Sequence, residues 1–157
     1  MAAKERHVLW VEDENDPDLV KAVQGEMNRE VDGYIFALLR QAETPDEACE
    51  YFSKYGHRVD LILMDCVWEN FNTDGVELVH RLVASYERPV VYLTGQFAIA
   101  STELKNEISN RPAWLVVTKG FEDGELGLAM ARATHIFTQL NSAALVGQAA
   151  SATSTVV

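Results

Sequence analysis

The residues able to do chemistry stand at the ends of short apolar runs. "HVLWV", His7 to Val11, stops on Glu12, Asp13 and Glu14. "LILMD" ends on Asp65, "VVYLT" ends on Thr94, and "WLVVT" runs into Lys119. Several carboxylates gathered in one place repel each other. A hard divalent cation relieves that repulsion, and Mg²⁺ favours one or two protein carboxylates together with waters and phosphate oxygens. Lys119 adds a fixed positive charge and Thr94 a hydroxyl donor. Together these groups suit the holding of a phosphoryl group on or near Asp65, with its charge neutralised by metal and lysine. Taken singly, each has a plainer account. The acids are a solvated loop, Lys119 a surface lysine, Thr94-Gly95 a turn, and Asp65 the polar end of a strand. What separates the two accounts is whether the fold brings four strand ends into one place.

The pattern of the chain requires that it does. Five short, apolar, β-prone runs read as buried strands: His7–Val11, Tyr34–Leu39, Val59–Asp65, Arg88–Thr94 and Ala113–Lys119. Helical patterns alternate with them. Asp16 is an N-cap with Pro17 at the first helical position, and Leu19, Val20, Val23, Met27 and Val31 form one stripe that Gly33 ends. Thr44 caps and Pro45 begins a second helix that Gly56 terminates. A third helix lies within 73–86, with Val76, Leu78, Val79, Leu82 and Val83 inward, and a more polar one within 98–110. The last, 122–140, carries Gly124 and Gly127 near its start. A βαβαβαβαβα order with continuously apolar strands predicts a five-stranded parallel, doubly wound sheet with helices on both faces. Such sheets bind ligands beyond the carboxyl ends of their strands.

Composition bounds the rest. The chain has 157 residues, 48% of them hydrophobic, which suits one globular domain over residues 1–140. Residues 141–157 carry no charged side chain and are rich in Ala, Ser and Thr, and are expected to form a disordered tail or a linker. A formal charge of −11 repels nucleic acid phosphates, so direct nucleic acid binding is not expected, and protein or cation partners are. No run approaches the roughly 18 apolar residues that cross a bilayer, and the N-terminal run ends at once in acids, unlike a signal peptide. A cytoplasmic protein without membrane contact is the expectation. Cys49 and Cys66 are too few for a disulfide framework. His7, His57, His80 and His135 share no spacing and read as structural or surface residues.

The four segments "VLWVEDE", "DLILMD", "RPVVYLTG" and "VVTK", in this order and each at a strand end, resemble the CheY-like receiver domain of two-component response regulators over roughly residues 7–140. The resemblance implies the flavodoxin-like strand order 2-1-3-4-5, of which CheY is a known example. By position it implies that Asp65 is phosphorylated. Asp13 would then bind Mg²⁺ directly and Glu12 directly or through water, with Asp65 and the main-chain carbonyl of Val67 completing the protein ligands. Thr94 would meet a phosphoryl oxygen, and Lys119 would pair with Asp65 and then with the phosphoryl group. The implied partners are a sensor histidine kinase or phosphotransfer protein upstream and another protein downstream.

The chain also departs from the family. The loop between Asp65 and Asp74-Gly75 is two residues longer than usual and lacks the common proline. Gly120 follows Lys119 in place of proline, and the family's aromatic switch position falls on Val116. Phe97 is the bulky residue expected to move in its stead. These departures keep a second reading open, a pseudo-receiver that binds proteins and takes no phosphate. A third, a phosphatase on the same fold, wants a second acid two residues beyond Asp65, where Val67 stands, and a P-loop enzyme would need a motif that is absent. The expectation is therefore a phosphoacceptor that takes part in its own phosphorylation and dephosphorylation and is not otherwise an enzyme.

Overall fold

The computed structural model describes residues 2–68, 73–95 and 102–154. Strands β1 (Lys4–Val11), β2 (Glu30–Val31), β3 (Tyr34–Ala42), β4 (Leu61–Asp65), β5 (Val90–Thr94) and β6 (Trp114–Thr118) form one sheet in the order β2-β3-β1-β4-β5-β6. Helices α1 (Pro17–Glu26), α2 (Pro45–Tyr55), α3 (Gly75–Val83), α4 (Thr102–Asn110) and α5 (Glu125–Ser154) connect or follow them. From β3 to β6 all pairings are parallel. The doubly wound α/β class expected from the pattern, and the flavodoxin-like strand order implied by the resemblance, are therefore what the chain adopts.

Alternate strand residues feed two cores. Leu9, Val11, Ile62, Met64, Val90 and Tyr92 face α2, α3 and α4, where Phe52, Leu78, Val79, Leu82 and Leu104 meet them. Val8, Trp10, Leu61, Leu63, Val91 and Leu93 face α1 and α5, against Leu19, Val23, Leu126 and Met130. Burial on both faces explains why these strands read as unbroken apolar runs with no polar alternation. The caps read from the sequence are in place. An Asp16 carboxylate oxygen accepts from the Asp18 amide at 2.9 Å, and Thr44 Oγ1 from the Glu47 amide at 3.0 Å. Asp74 adds a third cap, accepting from the Glu77 amide at 2.8 Å.

The sheet has six strands and not five. The expected first helix carried Val31 on its stripe and ended at Gly33. It ends instead at Glu26, and Asn28 turns the chain out with φ 60°. Glu30 and Val31 then pair antiparallel with Ile35 and Tyr34. Asp32 and Gly33, with φ of 49° and 86°, form the two-residue link. Positive φ at both positions is what a tight type I′ hairpin demands, and Asp-Gly is a preferred sequence for it. Val31 thus belongs to a β-strand. The last helix also differs from expectation, running on to Ser154 through the uncharged segment. Alanine, the strongest helix former, is frequent there and proline is absent. Helix α4 begins at Thr102; the rest of the expected helix 98–110 and Phe97 lie outside the described residues.

Glu26 closes the link between α1 and α5. Its carboxylate is buried and accepts from the Gly124 amide at 2.8 Å, one residue before α5 begins. A buried carboxylate is tolerable there because the first turn of a helix offers unpaired amides and the positive end of its dipole.

Gly75, the first residue of α3, packs directly on the end of β4. A Cβ there would lie 2.2 Å from the Asp65 carbonyl oxygen and 2.8 Å from Cys66 Cα. Both are backbone atoms that cannot swing aside. Gly75→Ala should therefore lower stability by about 1–3 kcal/mol, the usual cost of overpacking. The sign is opposite to that of an ordinary glycine-to-alanine change in a helix. A urea denaturation midpoint equal to or above that of wild type would contradict it.

Candidate phosphoryl and metal site

Parallel strands all end on the same edge, and register sets which residues meet there. Val11 pairs with Met64, which brings Glu12 level with Asp65. Asp65 pairs with Leu93, and Thr94 with Thr118, so Cys66 leaves the sheet beside Thr94, and Gly95 beside Lys119. The ladder continues one bond further, from the Glu12 amide to Ala42 O at 2.9 Å and from the Lys119 amide to Thr94 O at 2.8 Å. The four strand ends do converge.

Lys119 Nζ is the hub. It donates to Glu12 Oε1 at 2.8 Å and to Glu14 Oε2 at 2.7 Å, and stands 3.5 Å from Asp65 Oδ1. Glu12, Asp65 and Thr94 are buried, Asp13 is half-buried and Glu14 is exposed. Carboxylate oxygens of Glu12, Asp13 and Asp65 lie within 4.8 Å of one another. The Val67 amide donates to Asp65 Oδ1 at 3.3 Å, while the Val67 side chain is exposed. Thr94 Oγ1 donates to the Gly95 carbonyl at 3.3 Å and also hydrogen-bonds the Cys66 thiol beside Asp65.

Burial sets the electrostatics. Loss of water pushes the Glu12 carboxyl from 4.5 up to about 8, and its bond to Lys119 only partly opposes this. Burial raises the Asp65 carboxyl too, against the pull of Lys119, the Glu12 contact and the Val67 amide. Burial disfavours the Lys119 ammonium, but bonds to Glu12 and Glu14 outweigh it and hold that group above its ordinary value. The site thus carries more carboxylate than one ammonium balances.

A divalent cation fits this arrangement. Glu12 Oε2 is buried, and no N–H or hydroxyl donor among the described residues reaches it; only the Asp65 carboxyl stands close. An orphaned carboxylate oxygen inside a protein costs free energy. It lies in a cluster of three oxygen donors of the kind hard cations prefer.

Several supporting residues were not evident from sequence. Trp68 is buried in the core beneath the site, and its indole Nε1 donates to Asp65 O at 3.2 Å. Gly75 N donates to Cys66 O at 2.9 Å. Together they pin the backbone on both sides of the Asp65–Cys66 bond. Glu14, a mere neighbour of the paired acids in sequence, makes the shortest contact to Lys119. Only the Trp in the loop after Asp65 was a signal, and spacing alone could not aim its ring. Residues 69–72 of that loop lie outside the described residues. None of the four histidines joins the cluster. His7 meets Asp60 and Glu5, and His80 Nε2 meets Glu107 at 3.0 Å. Burial pushes the Cys66 thiol up to about 12, so beside Asp65 it is an inert packing group. No helix among the described residues is long and apolar enough to cross a membrane.

Known structures share this architecture. The N-terminal domain of a response regulator/sensory box/GGDEF three-domain protein from Carboxydothermus hydrogenoformans aligns at 26% identity and TM-score 0.64, over 85% of this chain and 98% of that one. NtrX from Brucella abortus, in complex with ADP, aligns at 26% identity and TM-score 0.64, over 92% of this chain but only 30% of that one. A chain of the CheX–CheY–BeF3–Mg²⁺ complex from Borrelia burgdorferi aligns at 16% identity and TM-score 0.61, over 84% of this chain and 89% of that one. No family model and no curated protein matches the chain. The CheY-like receiver fold is the one this chain has.

The raised carboxyl of Glu12 has a consequence for stability. The unfolded chain loses that proton near pH 4.5, whereas the folded one keeps it to about pH 8. The group therefore favours the folded state fully below the lower value, and that advantage is lost as pH rises through the higher one. In chelator, melting temperature should fall across this window, and Glu12→Gln should flatten the fall. Mg²⁺ at 100 times its dissociation constant should return about 2.7 kcal/mol by mass action, with the larger gain at the alkaline end. Melting curves that ignore both pH and Mg²⁺ in this range would contradict the assignment.

Proposed function

We propose that this receiver-fold chain accepts a phosphoryl group on Asp65 from a histidine kinase or phosphotransfer protein, and that the phosphorylated form switches contacts with another protein. The carrying observation is the convergence on Asp65 of an ammonium and two further carboxylates, one with an orphaned buried oxygen. A dinegative phosphoryl group would be repelled by the carboxylates alone. It is acceptable where positive charge is concentrated.

Glu12, Asp13, Asp65 and the Val67 carbonyl would hold Mg²⁺, which when bound supplies charge neutralisation for the phosphoryl oxygens. Asp65 supplies the nucleophile. One carboxylate oxygen forms a bond to phosphorus as the bond to the donor imidazole nitrogen breaks, and the imidazole leaves with the electron pair. The product is an acyl phosphate on Asp65. Lys119 pairs with a phosphoryl oxygen, in a charge-assisted contact stronger than a neutral one. Thr94 turns its hydroxyl to another phosphoryl oxygen. That turn biases the end of β5, so a partner that reads this surface has a different affinity for the two states. Val116 is half-buried beside Tyr92 in register and carries no ring to swing. The switch therefore uses groups other than an aromatic at that place.

Incubation with acetyl phosphate and Mg²⁺, followed by intact-mass measurement, tests the reading. Wild type should gain one phosphoryl group, and Asp65→Asn or chelator should abolish the gain. An equal gain in Asp65→Asn places the chemistry elsewhere. A wild-type chain that never gains phosphate, and whose melting ignores Mg²⁺, is the pseudo-receiver instead.

A further inference from the structure

We infer that Glu14 is a positioning residue that competes with the incoming phosphoryl group for Lys119. The inference rests on the phosphoacceptor reading of Asp65. An ammonium has three N–H bonds to give. Here two go to glutamates, Glu14 at 2.7 Å and Glu12 at 2.8 Å, and the acceptor aspartate receives the longest contact, 3.5 Å. Lys119 is thus held toward the mouth of the site and away from Asp65.

The two glutamates differ in what they can do next. The Glu12 side chain has no exposure and is anchored at the end of β1. Glu14 is 48% exposed and stands in the loop before α1. If a phosphoryl oxygen is to take a donor from Lys119, the Glu14 contact is the cheaper to give up, because water can solvate the released carboxylate. The half-buried lysine, 23% exposed, need only rotate its terminal group inward. Glu14 also places a negative charge at the entrance that an anionic phosphodonor must pass. Both effects act in one direction, holding phosphorylation back until the donor displaces Glu14. The contact is solvent-facing, so salt screens it, whereas the buried Glu12 contact is shielded from salt.

The test compares wild type, Glu14→Gln and Glu14→Asp in two measurements. The first is the initial rate of Asp65 phosphorylation by acetyl phosphate at saturating Mg²⁺, read by intact mass at low and high salt. Glu14→Gln should be faster at low salt by about two- to fivefold, the factor expected for an exposed ion pair, and the advantage should vanish at high salt. Glu14→Asp keeps the charge but loses the reach, and should fall between the two. The second needs no metal or phosphate: exchange of the Lys119 ammonium protons with water, followed by ¹⁵N-resolved NMR, should quicken in Glu14→Gln and Glu14→Asp. Equal rates at low salt, or slower phosphorylation in Glu14→Gln, overturn the inference while leaving Asp65 as acceptor. Unchanged ammonium exchange overturns it also. If no variant is phosphorylated, the reading of Asp65 fails and this inference falls with it.

Discussion

One ammonium shared among carboxylates at the edge of a parallel sheet is the contact on which the site depends. Lys119 reaches Glu12, Glu14 and Asp65 at once, yet one positive charge cannot balance them. The buried pair answers by raising both carboxyl groups, and no N–H or hydroxyl donor among the described residues reaches one oxygen of Glu12. The arrangement is electrostatically incomplete by itself. Incompleteness of this kind favours whatever brings positive charge, a divalent cation above all. A site satisfied by its own side chains would have no such appetite.

The surrounding fold keeps this strain in place. Two cores, one on each face of the sheet, fix the strands so that their ends cannot draw apart. Buried Trp68 and close-packed Gly75 hold the Asp65 backbone from below and beside it. Repulsion among the acids therefore appears as shifted protonation and not as a splayed sheet edge. The same rigidity limits how a signal leaves. Thr94 is buried, shares a hydrogen bond with Cys66 beside Asp65, and its strand ends next to the start of Lys119's loop. The family's aromatic position is here a half-buried valine, Val116, which has no ring to rotate.

Much of this was legible in the sequence because parallel strands buried on both faces leave a plain mark. Unbroken apolar runs such as "LILMD" and "VVYLT" ended on polar residues, and capping pairs such as Asp16-Pro17 and Thr44-Pro45 announced the helices between them. Right-handed crossovers then left little freedom in how the runs could assemble, and the convergence of Glu12, Asp13, Asp65, Thr94 and Lys119 followed from chain order. The hairpin at Asp32-Gly33 was also written there but was masked by a hydrophobic spacing that Val31 happened to satisfy. Local periodicity does not say when a helix has stopped, and here the left-handed turn at Asn28 decided it. The length of α5 was hidden for the opposite reason. An uncharged Ala-rich stretch is equally compatible with a helix or a tail, and composition does not choose.

What only the tertiary structure decided is which partner each charged atom takes. Sequence order placed Glu14 beside the paired acids without distinguishing it from any solvated loop residue. Its grip on Lys119 joins residues 105 positions apart and depends on how β1 and β6 are spaced across the sheet. The aim of the Trp68 ring, the Glu12 oxygen that no described donor reaches and the absence of room for a Cβ at Gly75 are of the same kind. Each is a matter of a few ångströms between atoms of distant segments. Residue types and spacing determine which strand end a group occupies. Hydrogen bonding and burial, which arise only once the two cores have closed, determine what that group can do there.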